Sequence, residues 1–554
     1  MYLRTTKRRR VDGSEVRYLQ LAHNEWDSAS GQSRAKVIYN FGREDRLDRD
    51  AIARLVKSLS RMLPPGKALE ATADTGLTFV ESRTMGGAYV LDRLWRRLGI
   101  DKTLNDLSDR RRFGTNMERV LFALVANRAL APSSKLAATS WIGERVVIDG
   151  LDAVDADTCY RAMDWLIEIE ADLAEAVYWS TADLLNLEVD LLFFDTTSTY
   201  FQSLGDDGDE VDKFRVRGRS KDHRPDLPQV VIGMAVTRGG IPIRVWSWPG
   251  NTADATVIAQ VKDDLAAWKL ARVVWVTDTG FNSAANRRYL QRAGGHYIMG
   301  ERLRSGSVES TEAIRRQGRY TKIAGNLHVR EVVFDNGIMR DRFVVCHNPE
   351  EAVRDAAVRD SIVAELVDRI TGSDDLDGDA RTALAGKIAA TKGLKRFLRV
   401  TNSGRLRIDK AAVTAEAKLD GKYLLRTSDP SLSTEDIALG YKQLLEVERG
   451  WRDMKQILDL RPVHHRLADR IHAHIILCWL ALLLIRITET ATSDTWTNLR
   501  HELDRMHLGT FTTPAGTIER RTATTPRQAV ILKNLDLTPP PQISDIRPTP
   551  TPAT

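Results

Sequence analysis

The sequence predicts a mixed α/β fold preceded by a mainly helical segment, and three patterns carry that reading. From about residue 85 to 187, apolar side chains recur at three- and four-residue intervals, as in NMERVLFALVANRAL and AMDWLIEIEADLAEAVYWSTADLLNL. That is the spacing of helix faces turned toward a core. At Val189 the pattern switches to VDLLFFDTT, QVVIGMAVT and IPIRVWSWP, continuous apolar runs of the kind that form buried strands. Helical and strand-like runs then alternate through RVVWVTD and HYIMG, the signature of a mixed sheet with helices between its strands.

Taken in order, residues 1–75 read as a basic α+β region. It opens with Lys7-Arg8-Arg9-Arg10 and holds two strand-like stretches and a helix near 50–62. Residues 76–187 read as a helical domain, and 188–300 as the first part of an α/β core, with Arg238-Gly239-Gly240 as a hairpin turn. Residues 301–430 break the alternation with strands and helices of their own, including a hairpin around Asn336-Gly337. The core resumes over 431–492, followed by a C-terminal region, 493–537. The Pro/Thr-rich stretch 538–554 reads as a disordered tail.

Of the 554 residues, 42% are hydrophobic and 28% charged, close to globular averages, which excludes wholesale disorder, collagen and coiled coil. Lys+Arg 81 against Asp+Glu 75 gives a net charge of +6, too small a surplus to name a polyanionic partner by itself. Three scattered cysteines fit a reducing cytosol and exclude a disulfide scaffold or a cysteine zinc site. The N-terminal stretch has no apolar signal region. The run from Ile475 to Ile485 is too short for a membrane span and reads as a buried helix.

Two apolar runs end in carboxylates, Asp195 and Asp278. Strand tips of an open α/β sheet are where ligand crevices form, although an aspartate there can also simply start a turn. A third acid lies in YKQLLEVERGWRDMKQIL. Read as one helix, this segment sets Tyr441, Glu448, Arg452 and Lys455 within a sector of roughly 60°, beside an apolar stripe. The bland alternative is a solvated face with Glu448 and Arg452 as an ordinary i,i+4 pair. Three converging carboxylates suit magnesium, a hard cation that takes oxygen ligands. Two such ions about 4 Å apart clamp the oxygens of a phosphoryl displacement. In an extended segment, Lys213, Arg215, Arg217, Arg219 and Lys221 fall on one side as a phosphate-tracking ribbon. The acidic residues Asp206 to Asp212 just before it leave open a self-neutralising loop. His464, His465, His472 and His474 fit no zinc spacing and read as phosphate contacts or caps.

With these residues in place, the chain resembles bacterial insertion-sequence DDE transposases of the insertion-sequence-four superfamily. Their Tyr-x2-Arg-x3-Glu-x6-Lys signature is met by Tyr441, Glu448 and Lys455, while its arginine position is Leu444, leaving Arg452 or another cation to make that phosphate contact. FFDTTSTYF resembles the first-Asp segment and TDTGFNS the second; RGRSKDHRPDLPQV and Gly250-Asn251-Thr252 resemble segments between them. The resemblance implies an RNase H-like mixed-sheet catalytic core interrupted by a β-containing insertion, with a mainly helical, DNA-binding N-terminal domain. It implies Asp195, Asp278 and Glu448 as catalytic ligands of Mg2+, with Mn2+ able to substitute. It also implies cutting of double-stranded DNA at terminal inverted repeats, joining of the 3′-OH to target DNA, a homodimer on paired ends, and a cytoplasmic, nucleoid-associated bacterial protein with no membrane partner. The DNA-binding residues would be Tyr441, Arg452, Lys455, Lys213, Arg215, Arg217, Arg219 and Lys221. The alternative is a transposase-derived DNA-binding protein without cleavage activity. An aspartic protease would need glycine at Thr197 and leaves Glu448 without a role.

Overall fold

The computed structural model describes all residues except 11–13, 28–30, 61, 64–76, 110, 112, 186–189, 203–212, 267, 269–272, 305, 336–339, 392, 514–515 and 549–554. The acidic run 206–212 and the Asn336-Gly337 turn therefore lie outside the described residues. The chain divides into two units, one of residues 1–81, 509–520 and 543–554, the other of 82–508 and 521–542.

In the smaller unit, Tyr2–Arg9, Glu15–Asp27 and Gln32–Arg43 form an antiparallel sheet, followed by the helix Arg49–Ser60. The strand Ile543–Pro548 pairs antiparallel with Gly516–Arg521. An edge strand thus occupies Ile543–Pro548 within the stretch read as a disordered tail, residues 549–554 of which lie outside the described residues; proline-rich composition removes donors, but alternate positions of an edge strand need none.

The larger unit is built on a nine-stranded sheet. Its strands are β1 (Leu191–Tyr200), β2 (Gln229–Thr237), β3 (Pro242–Pro249), β4 (Val274–Thr277), β5 (His296–Glu301), β6 (Thr321–Ala324), β7 (Leu327–Asp335), β8 (Arg340–His347) and β9 (Lys422–Thr427). Their order is β6-β7-β8-β9-β5-β4-β1-β2-β3. β1 runs parallel to β4, and β4 to β5; every other neighbouring pair is antiparallel. The central strands are the apolar runs of the sequence, buried on both faces. Strands β6 to β9, from the segment after Gly300, extend the same sheet through β9 on β5.

Among the described residues, six helices between Gly86 and Leu185 make the helical part. Among them are α1 (Met117–Leu130), capped by Asn116, and α2 (Lys135–Glu144), capped by Ser134. Next along the chain is α3 (Asp254–Ala266). α4 (Thr434–Lys442) and α5 (Leu445–Gln456) stand where one continuous helix was expected. Successive three-residue hydrogen bonds, Leu444 N to Tyr441 O at 3.1 Å and Val447 N to Leu444 O at 3.1 Å, tighten the chain at Gln443–Leu444. Tyr441 therefore belongs to a different helix from Glu448.

α6 (Ala468–Thr492) packs on α1, α5 and β3, and one hydrophobic cluster runs from the helical part through the sheet. By length and composition α6 could cross a membrane, but 94% of its most apolar stretch is buried inside the fold. Buried charge ties it to α5: Arg486 contacts Asp453 at 2.6 Å and Glu489 at 2.7 Å, and Arg449 reaches Glu489 at 3.0 Å.

His465 and His474 lie buried 5.7 Å apart, ring to ring. Burial, with Lys135 nearby, lowers His465 from its ordinary 6.5 to about 3 and holds His474 well below its ordinary range. Between those values the unfolded chain binds more protons, so this part of the stability is complete above about pH 6.5 and is lost as pH falls toward 3. Urea unfolding at pH 7.5 and pH 5 is expected to show a lower midpoint at pH 5. His465→Leu should flatten the difference; an equal pH response in both proteins would contradict the assignment.

Candidate active site

Asp195 does not end its strand. β1 continues to Tyr200 on its β2 side, where Asp195 faces Met234, but its parallel pairing with β4 covers only Leu191–Phe193, opposite Val274–Val276. Continued by two residues, that register sets Asp195 beside Asp278, one strand spacing of roughly 4.8 Å away. The two carboxylates thus meet where β4 stops and β1 goes on. Asp278 is fixed by the Gly280 backbone N–H, which donates to its Oδ1 at 2.7 Å.

Two further residues complete this corner. Asp254, the first residue of α3, accepts a hydrogen bond from Thr196 Oγ1 at 2.5 Å. Its Oδ2 and both oxygens of Asp278 flank Gly280 on the same side. Lys221 reaches in from the segment after β1: its Nζ donates to Thr196 O at 2.6 Å and Thr196 Oγ1 at 2.7 Å. The same Nζ lies 3.3 Å from Asp254 and 3.8 Å from Asp195. Burial foremost, and the negative Asp278 and Asp254, raise the Asp195 carboxyl to about 6, against the opposing pull of Lys221.

Glu448 is exposed on α5. The Tyr441 hydroxyl feels Asp278, Asp195 and Glu448 together, and burial with these charges raises its pKa. The phenol has room because position 300 carries no side chain: a Cβ on Gly300 would stand 2.5 Å from the Tyr441 oxygen and 2.9 Å from Thr279 Cγ2. Gly300→Ala is accordingly expected to cost about 1–3 kcal/mol in urea unfolding. Tyr441→Phe should recover part of that loss in the double variant, and strict additivity would contradict the contact.

Among the described residues, no group of three or more His, Cys, Asp or Glu side chains stands close enough to hold a metal ion. The resemblance implies that Asp195, Asp278 and Glu448 converge; the structure couples Asp195 with Asp278 and Asp254, sets Lys221 beside Asp195 and Asp254, and lets Glu448 share with Asp195 and Asp278 the field felt by Tyr441. Asp254 escapes sequence reading because a lone acid opening a helix looks like an ordinary dipole partner.

The cations are placed differently from a one-sided ribbon. Lys213, Arg217 and Arg219 are exposed, but Arg215 is buried, stacked 5.5 Å over the Phe201 ring, and Lys221 turns inward. This segment is pinned by backbone contact, since a Cβ on Gly218 or Gly250 would fall within 2.3 Å of a neighbouring carbonyl oxygen. Pinning of that kind overrides the alternation assumed for a free strand. Lys455 is engaged within the chain, donating to Thr197 Oγ1 at 2.8 Å and Asp222 Oδ1 at 2.9 Å, where Arg461 also pairs with Asp222 at 2.9 Å. Arg452 is exposed. Of the histidines, His472 bridges Ser247 and Glu170 at 2.6 and 2.8 Å, and the other three line a cavity.

Residues 218–484 match the family described as transposase DDE domain, and residues 3–69 match the IS1634 family transposase N-terminal domain. The chain belongs to the insertion-sequence DDE transposases. The region of this transposase that matches the DDE domain holds Asp278, Asp254 and Glu448; Asp195 precedes it. Among solved structures, a piggyBac transposase in a synaptic complex with hairpin DNA is similar over 73% of this chain and 75% of its own, at 11% identity and a TM-score of 0.34. No curated protein matches the sequence.

Proposed function

We propose that this transposase binds the terminal inverted repeats of its insertion sequence, cuts the DNA there and joins the freed 3′-OH to target DNA, as a homodimer on paired ends at the nucleoid. The core is read as RNase H-like, supported by three antiparallel strands, β1 to β3, followed by β4 and β5 parallel to β1, with the first two acids at the β1–β4 seam. That seam carries the proposal: it sets two carboxylates side by side and adds a third, Asp254, from the adjoining helix.

The donor set, all carboxylate oxygen, fits a hard divalent cation, Mg2+ or Mn2+. The raised Asp195 carboxyl marks crowded negative charge that such a cation offsets. Asp195 and Asp278 at the seam would hold it, joined by Glu448 from α5 as the third ligand that the family resemblance implies, and bound there it would supply positive charge to the phosphate undergoing displacement. The chain's own groups do the rest. Tyr441 presents its hydroxyl beside the acids, and Arg452 with the exposed Lys213, Arg217 and Arg219 binds flanking phosphates. Lys455 and Arg215 hold that binding surface in place from within, and Lys221 neutralises Asp195 and Asp254.

One observation favours the second reading, DNA binding without cleavage: the Lys221 ammonium already stands among the carboxylates. Cleavage of a labelled terminal-repeat duplex with Mg2+, stopped by chelator, supports the enzyme. Binding with no cutting by the wild-type protein would leave the second reading standing.

A further inference from the structure

Beside the carboxyl end of α1 and the start of α2 lies a cavity of about 180 Å3, whose lining includes Arg128, Lys135, His464, His465, His474 and Asp459. Four of these bases are deeply sunk: Arg128 is 2% exposed, Lys135 3%, His474 3% and His465 8%. Buried cations ordinarily carry a carboxylate partner, because desolvation otherwise makes the charge costly. Asp459, the one carboxylate of the lining, is exposed and makes no ion pair with them.

Their donors are left over as well. Arg128 donates through Nη2 to the Ser133 carbonyl and to Asn127 Oδ1, while its Nε has no partner. His474 uses Nε2 on the Leu460 carbonyl at 3.1 Å, and its Nδ1 has none. Lys135 makes no hydrogen bond or ion pair among the described residues. The same wall carries the capped amino end of α2, where the Ser134 hydroxyl accepts from Ala137 N at 3.2 Å. A helix amino end adds partial positive charge. Burial foremost, and then the neighbouring Arg128, lower Lys135 to about 7, so positive groups crowd here with the exposed Asp459 the only carboxylate offsetting Arg128.

We propose that this pocket binds a phosphate group, held by the Lys135 ammonium with the Arg128 and His474 side chains around it, against the amino end of α2. A cavity of this size admits a phosphate and excludes a base pair. The ligand is therefore a terminal phosphomonoester on a DNA strand or free inorganic phosphate. The pocket shares no residue with the carboxylate site, so it stands or falls apart from the cleavage reading.

The test uses the full chain. Thermal unfolding is followed as inorganic phosphate replaces chloride at constant ionic strength, and binding is compared for one duplex carrying a 5′-phosphate or a 5′-hydroxyl. A melting temperature that rises saturably with phosphate in the wild type, and not in Lys135→Met or Lys135→Gln, supports the site. A tenfold or greater preference for the 5′-phosphorylated duplex, erased by the same substitutions, assigns the ligand to a DNA end; a phosphate response without that preference assigns it to the free ion. The proposal is overturned if the wild type shows neither effect, or if both substitutions leave them unchanged.

Discussion

Asp195→Asn is expected to reduce cleavage of a terminal-repeat duplex by on the order of 10³-fold or more, because charge stabilisation worth several kcal/mol is lost at about 1.4 kcal/mol per decade of rate. The substitution keeps shape and removes only a negative charge, so DNA binding should persist. Folding should not suffer either. The Asp195 carboxyl titrates near 6 in the folded chain against 3.8 ordinarily, so the folded state binds more protons between those values and stability falls as pH rises through that window. The asparagine variant escapes this loss and should melt no lower than wild type at pH 7.5, while Lys221 keeps Asp254 and Thr196 as partners. Single-turnover cleavage, duplex binding and melting temperature together decide the matter. A variant cutting within tenfold of wild type would remove Asp195 from the chemistry.

Arg486→Met is expected to destabilise the larger unit by about 3–5 kcal/mol, the range for breaking a buried pair from one side. Arg486 is 3% exposed, and its partners Asp453 and Glu489 are 14% and 8% exposed at their side chains. Burial already raises the Asp453 carboxyl against the pull of Arg486. Without the arginine, Asp453 keeps only the more distant pull of Arg449 and Arg452, while Glu489 keeps Arg449 and the Trp496 backbone N–H, at 3.0 and 2.8 Å. Arg486→Met with Asp453→Leu should therefore recover much of the loss, since replacing both partners by apolar groups is far cheaper than orphaning one. Urea unfolding of the three proteins measures this, and a single variant within 1 kcal/mol of wild type would show that the network contributes little.

The strands that carry Asp195 and Asp278 were legible because buried strands need uninterrupted apolar runs and these runs have no other use. The helix break before Glu448 was not, since Gln443 and Leu444 are ordinary helix formers that carry no break signal. Lys221 illustrates a second limit. Alternation in an unpaired segment predicts five cations on one side, but backbone contacts at Gly218 and Gly250 decide where they point. Lys135, within the helical stretch SKLAATSWIG, carries no local sign of burial; that it is sunk beside Arg128 depends on residues more than 300 positions away.

The way the sheet is shared has a mechanical consequence. β9 is hydrogen-bonded to β5 from Leu424 opposite Glu301 to Thr427 opposite Ile298, with Leu425 across from the Gly300 that accommodates Tyr441. The stretch between the two halves of the core is thus no detachable module. Excising it would bare the whole flank of β5, a row of unpaired backbone donors and acceptors open to self-association. Any load carried on β6 to β9 reaches the tyrosine pocket through a rigid ladder, two strands from Asp195.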